Sequence, residues 1–161
     1  PYPEPALPSV TYEKSMTLHF NGETVELMHL AKGHTDGDSV VIFKKANVVH
    51  MGDHFFNGFF PFVDVSSGGN VLTMAENVAI MLNKVDDNTV IIPGHGPLAK
   101  KADLEAFHLM LKGTAEEVQT MKDKGMNLKA MQAQGLSEKW NSWTDGFLNT
   151  ETWISIINSS L

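Results

Sequence analysis

Cysteine is missing from all 161 residues. Its absence rules out a disulfide framework and any thiolate metal site, so a bound metal would have to be held by His, Asp or Glu. Clustered positive charge is missing as well. Lys and Arg together number 12 against 19 Asp and Glu, for a formal net charge of -7 and an isoelectric point near 5.4. The lysines are scattered, with Lys44-Lys45 and Lys100-Lys101 only pairs. A phosphate-binding surface needs concentrated Lys and Arg, so no nucleic-acid partner is expected. No apolar run approaches the length of a membrane span and no basic-plus-apolar leader is present, so the chain reads as soluble without a membrane partner. Repeats, low-complexity blocks and linkers are also lacking.

What is present suffices for one compact core. Hydrophobic residues make up 42% of the chain, and a single domain over 1–161 is expected. The chain begins at Pro1 within Pro1-Tyr-Pro-Glu-Pro-Ala-Leu-Pro8. Proline fixes φ and removes donors, which predicts an extended lead-in. A start at proline rather than methionine also suggests that the true N-terminus has been removed.

Two runs with partly alternating polarity, 15–20 and 23–30, flank Asn21-Gly22, the strongest short hairpin signal. The runs 39–43 and from Val48 onward read as further strands, joined by a Lys-Lys-Ala-Asn turn. Strict alternation from Val48 would put Val49, Met51 and Asp53 on one face and His50 on the other. Residues 54–70 are rich in aromatics and glycine and read as a loop, either packed by its own aromatics or forming a cleft wall. Apolar residues at 71, 74, 75, 78, 81, 82 and 85 predict a helix with one buried face. A short strand over 89–92 should stop at Pro93-Gly94 and leave His95 in a loop. A long amphipathic helix over about 104–121 and shorter helices around 128–134 and 150–161 complete the chain, with Trp140, Trp143 and Trp153 pinning the tail. His19, His29, His50 and His108 read as ordinary structural or surface histidines.

Three polar interruptions stand out. Ala31-Lys-Gly-His-Thr-Asp-Gly-Asp-Ser39, Met51-Gly-Asp-His54 and Pro93-Gly-His-Gly-Pro97 each end an apolar run at glycine beside His or Asp. That is how a scaffold delivers ligands to one rim. His34, Asp53 and His95 supply the donors that zinc takes when thiolate is unavailable. A catalytic zinc keeps one position for water and brings its pKa near neutrality.

In this order and at these separations, Gly33-His-Thr-Asp-Gly-Asp38, Met51-Gly-Asp-His-Phe-Phe-Asn57 and Pro93-Gly-His-Gly96 resemble the later motifs of the metallo-β-lactamase superfamily. The resemblance runs from about Val10 to about Leu111, and the Trp-containing tail is similar to that of one bacterial branch of β-lactamase-like hydrolases, whose members are often exported. It implies an α+β fold, half of an αβ/βα sandwich with mixed or antiparallel strands and flanking helices. It also implies that His34 completes the first zinc's ligands, Asp53 bridges two metals and His95 binds the second. Aspartate at 53, rather than cysteine, looks more like the lactonase and thioesterase branches. Substrates of the class would be small esters, lactones, thioesters or β-lactams, with His54, Phe55, Phe56, Asn57 and Phe60 shaping the pocket. No catalytic group is expected apart from the metal site.

One departure is large. The family's His-x-His-x-Asp-His signature, which supplies most of the remaining ligands, occurs nowhere in the sequence. The chain therefore resembles the C-terminal half of such an enzyme, with two zinc ions expected in the parent and partial or absent zinc here. Two alternatives follow. The chain could be a catalytically silent fragment that forms a homodimer or strand-exchanged oligomer through its uncovered sheet, or a module whose metal sites form between subunits.

Overall fold

The computed structural model describes residues 3–161. A five-stranded sheet of order β1-β2-β3-β4-β5 is built from β1 (Ser15–Phe20), β2 (Glu23–His29), β3 (Ser39–Phe43), β4 (Val48–Phe56) and β5 (Val90–His95). The first three pairings are antiparallel and β4 with β5 is parallel. Four α-helices flank it: α1 (Val71–Leu82), α2 (Lys101–Asp123), α3 (Leu128–Gln134) and α4 (Thr150–Ser160). This is the mixed α+β arrangement that the family resemblance implies.

Local chemistry explains most of these elements. The β1–β2 hairpin turns at Asn21 and Gly22 with φ of 48° and 77°, the two left-handed residues that a tight hairpin turn requires. Asn70 caps α1 by accepting from the backbone N–H groups of Leu72 and Thr73. The parallel β4–β5 pair needs a crossover, and α1 supplies it. At the start of α2 the Asp103 carboxylate accepts from the Lys100 N–H at 2.8 Å.

The core lies between one face of the sheet and the helices. Val40, Ile42, Val49, Met51 and Ile91 are buried from the strands, opposite Met74, Val78 and Met81 of α1 and Leu104, Phe107 and Leu111 of α2. The tail is tied down by its tryptophans. Trp153 is fully buried, stacks on Phe60 at 5.5 Å and donates its indole N–H to Thr114 Oγ1 at 3.1 Å. Trp140 donates to Glu117 and lies flush on Gly113, where a Cβ would strike its ring.

The other sheet face is different. Register places Met16, Leu27 and Val41 in one cross-strand row and Leu18, Val25, Phe43 and Val48 in the next. None of these side chains is buried, and Leu18 and Phe20 are 46% and 70% exposed.

Three expectations are corrected. Of the proline-rich lead, residues 1 and 2 lie outside the described residues, and Glu4–Ala6 forms a 3₁₀ turn rather than an extended segment, closed by Ala6 N–H donating to the Pro3 carbonyl. Proline's fixed φ suits that turn as well as an extended chain. The aromatic stretch does not begin as a loop, because β4 continues through His54, Phe55 and Phe56. Nor does β5 stop at Pro93: it runs on to His95, which pairs with Phe56. Proline is tolerated there because β5 lies at the sheet edge.

Candidate metal centre

The sheet's irregularity sits where β4 and β5 reach the rim. His50 pairs with Ile92, Gly52 with Pro93 and Phe56 with His95, so β4 takes six steps while β5 takes three. Gly52 has φ of 53°, a left-handed conformation that glycine adopts without steric penalty. This bulge overturns the face assignment made from strict alternation. Met51 is fully buried, whereas the Asp53 side chain is 37% exposed and comes out at the rim. Beyond it His54, Phe55 and Phe56 are all buried, with no pleat alternation.

His34 and His95 meet Asp53 from either side. Nε2 of His34 lies 3.6 Å from Asp53 Oδ2, and Nε2 of His95 lies 3.4 Å from Oδ1. Each imidazole thus faces its own oxygen of one carboxylate. Among the described residues, no group of three or more His, Asp or Glu donors could hold a single ion. The three side chains form two His–Asp pairs that share Asp53.

The sequence around each ligand candidate holds it in place. The turn bearing His34 is clamped by Asp38, whose carboxylate accepts from the Thr35 N–H at 2.6 Å and the Thr35 hydroxyl at 3.1 Å. The His34 carbonyl accepts from the Asp64 N–H, and its Nδ1–H donates to the Phe62 carbonyl at 2.7 Å. With Nδ1 engaged in that bond, Nε2 is the ring nitrogen left facing Asp53. On the other side, the Asn57 N–H donates to the His95 carbonyl at 2.9 Å and its amide donates to the Pro97 carbonyl at 3.1 Å. Gly94 must be glycine for a different reason: a Cβ there would collide with the Asp53 carboxylate and the Gly52 backbone.

Beneath the rim lies His54, fully buried. Asn77 of α1 donates from its amide to the Ala31 carbonyl at 2.9 Å and lies 3.2 Å from His54 Nε2. Nδ1 of His54 is buried without a hydrogen-bond partner among the described residues. Burial holds the His54 pKa below its ordinary value, so the ring is neutral. Gly33 rests directly on this ring and has no room for a Cβ.

Of the five residues expected to shape a pocket, Phe56 stacks on His95 at 4.7 Å and comes within 6.3 Å of His34, and Asn57 holds the His95 turn. His54, Phe55 and Phe60 lie wholly inside, with Phe55 against Phe107 and Phe60 against Trp153. Two exposed rings that the sequence did not single out, Phe62 and Phe147, flank the histidines instead. Phe62 falls at the end of the aromatic run, but nothing in the sequence around Phe147 marks it. His29 is hydrogen-bonded at both ring nitrogens, as an ordinary structural histidine should be.

No protein-family model and no curated protein matches the sequence. Solved structures do match. The stereoselective inverting sec-alkylsulfatase Pisa1 from Pseudomonas sp. superposes with a TM-score of 0.73 at 16% identity, over 94% of this chain and 26% of that one. A metallo-β-lactamase from Pontibacter korlensis gives 0.54 at 17% identity, over 65% of this chain and 49% of that one. The BLEG-1 B3 metallo-β-lactamase gives 0.52 at 25% identity, over 65% and 48%. The chain spans between about a quarter and a half of the length of these proteins, and its fold is that part of the metallo-β-lactamase fold.

Proposed function

We propose that this chain carries part of the active centre of a metal-dependent hydrolase, with Asp53 shared between two zinc positions that His34 and His95 serve separately. One observation carries the reading: a single carboxylate offers one oxygen to each of two imidazole Nε2 atoms. The donor chemistry fits zinc in the absence of thiolate, and the Nδ1 bond of His34 is the kind of outer contact that orients a metal-binding imidazole. Zinc supplies Lewis acidity and lowers the pKa of a coordinated water to about 7. This chain's own residues hold the donors in register. Asn57 fixes the His95 turn, Asp38 fixes the His34 turn, and Gly94 leaves room for the Asp53 carboxylate. Each half-site needs further ligands from outside these 161 residues, so the chain by itself is expected to bind zinc weakly and to turn over little substrate. The substrate class is a small ester, lactone, thioester or β-lactam.

The test is a zinc titration followed by the imidazole NMR signals of His34 and His95. Both should move together, and Asp53→Asn should abolish both responses. Zinc that leaves the two rings unmoved would remove the metal reading.

The exposed sheet face favours a second reading, a self-associating chain without activity of its own. Its apolar rows and open edge strand β1 are surfaces that association would cover. Light scattering should then report a dimer that Phe20→Lys weakens. A strict monomer at high concentration would dismiss it.

A further inference from the structure

The rim carries two exposed phenylalanines, one on each side of Asp53. Phe147, 64% exposed, sets its ring edge-on to His95 at 5.0 Å and to Phe59 at 5.4 Å. Phe62, 47% exposed, sets its ring edge-on to His34 at 5.9 Å. Lone exposed aromatics are common and need no explanation. These two come from segments far apart in sequence, yet each touches one of the two imidazoles that face Asp53.

Both rings are held in position. Gly146 lies flat on the Phe59 ring, where a Cβ would come within 2.5 Å, and the Phe60 N–H donates to the Trp143 carbonyl at 2.9 Å. The tail turn is thereby fixed against the segment after β4, with Phe147 over His95. On the other side, the carbonyl of Phe62 itself accepts the His34 Nδ1–H. A few polar groups set among apolar walls is the usual make-up of a small-molecule site.

We propose that Phe147 and Phe62 form an apolar subsite beside Asp53, so that the molecule bound at this rim carries an alkyl or aryl group next to its reacting polar group. The proposal rests on the hydrolase reading for what happens to that molecule, but the subsite itself needs no metal.

A homologous series of straight-chain primary alcohols, from butanol to octanol, tests it by NMR titration of the metal-free chain. The ring signals of His95 and Phe147 should shift, with affinity rising about two- to fourfold per added methylene. Phe147→Ala should lower octanol affinity about tenfold and flatten the dependence on length, with Phe62→Ala producing a smaller loss. Both positions are exposed, so neither change threatens folding. Leu109→Ala, equally exposed at 64% on α2, should change nothing. Affinity that does not depend on length, shifts confined to the α1–α2 groove or the open sheet face, or a response that survives Phe147→Ala would each overturn the subsite. Zinc binding is read separately: alcohols binding at Phe147 while zinc leaves His34 and His95 unmoved would overturn the metal reading alone, and the reverse pattern would overturn this one alone.

Discussion

Asp53 and His54 are neighbours on β4, yet one stands at the rim and the other is sealed beneath it. The rim holds His34, Asp53 and His95 with few direct contacts among them, at separations longer than good hydrogen bonds. The layer below, made of His54, Asn77 and Gly33, is packed so closely that a Cβ added at Gly33 would collide with the His54 ring. The difference separates two duties. The lower layer is close-packed around a buried ring, whereas the rim side chains keep exposed surface.

Breaking the lower layer should therefore have the largest effect. His54→Ala removes a wholly buried ring and leaves the Asn77 amide short of one partner. A loss of about 2–4 kcal/mol is expected from the cavity and the unpaired donor together. Asn77→Ala should cost about 1–3 kcal/mol, because the Ala31 carbonyl loses its donor. Urea unfolding measures both. If both variants stay within about 0.5 kcal/mol of the parent chain, the lower layer is not what holds the rim.

The rim should behave in the opposite way. Asp53→Asn keeps shape and volume at a partly exposed position, so stability should stay within about 0.5 kcal/mol. Zinc-induced shifts at His34 and His95 should nevertheless vanish together. A large loss of stability would mean that Asp53 is a structural member of the sheet, and the contrast between the two layers would fail.

The hairpin, the helices over 71–82 and 128–134, and the strand over 39–43 were legible because each is encoded locally, by Asn21-Gly22, by 3.6-residue periodicity or by a short apolar run. The convergence of His34, Asp53 and His95 was legible from three glycine-bounded motifs. The bulge around Gly52 was not, since alternation assumes a regular pleat and a glycine inside a strand does not announce three extra residues. The burial of His54, Phe55 and Phe60 was hidden for a related reason. A polar-punctuated aromatic run reads as a loop until α2 and α4 are packed against it, through Phe107 and Trp153. Phe147 reaches the rim only because Gly146 seats on Phe59, a tertiary contact with no local signal.

The smallest expected effect concerns the strap that ties the His34 loop to β2, and it sharpens the comparison from outside the rim. His29 bonds the Asp36 carbonyl through Nε2 at 2.6 Å and the Glu13 carbonyl through Nδ1 at 2.8 Å. Two acceptors demand two N–H donors, which only the imidazolium provides. The Asp36 carbonyl first, then that of Glu13, raises the His29 pKa above its ordinary 6.5. The folded chain therefore binds this proton more tightly than the unfolded one. Its stabilising contribution is fully present below pH 6.5 and is lost as pH rises through the folded-state pKa. Stability measured from pH 6 to 9 should decline modestly, and His29→Gln should flatten that decline while leaving the zinc response of His95 unchanged. A variant that keeps the full slope would assign the pH dependence to other groups and leave the strap without a role.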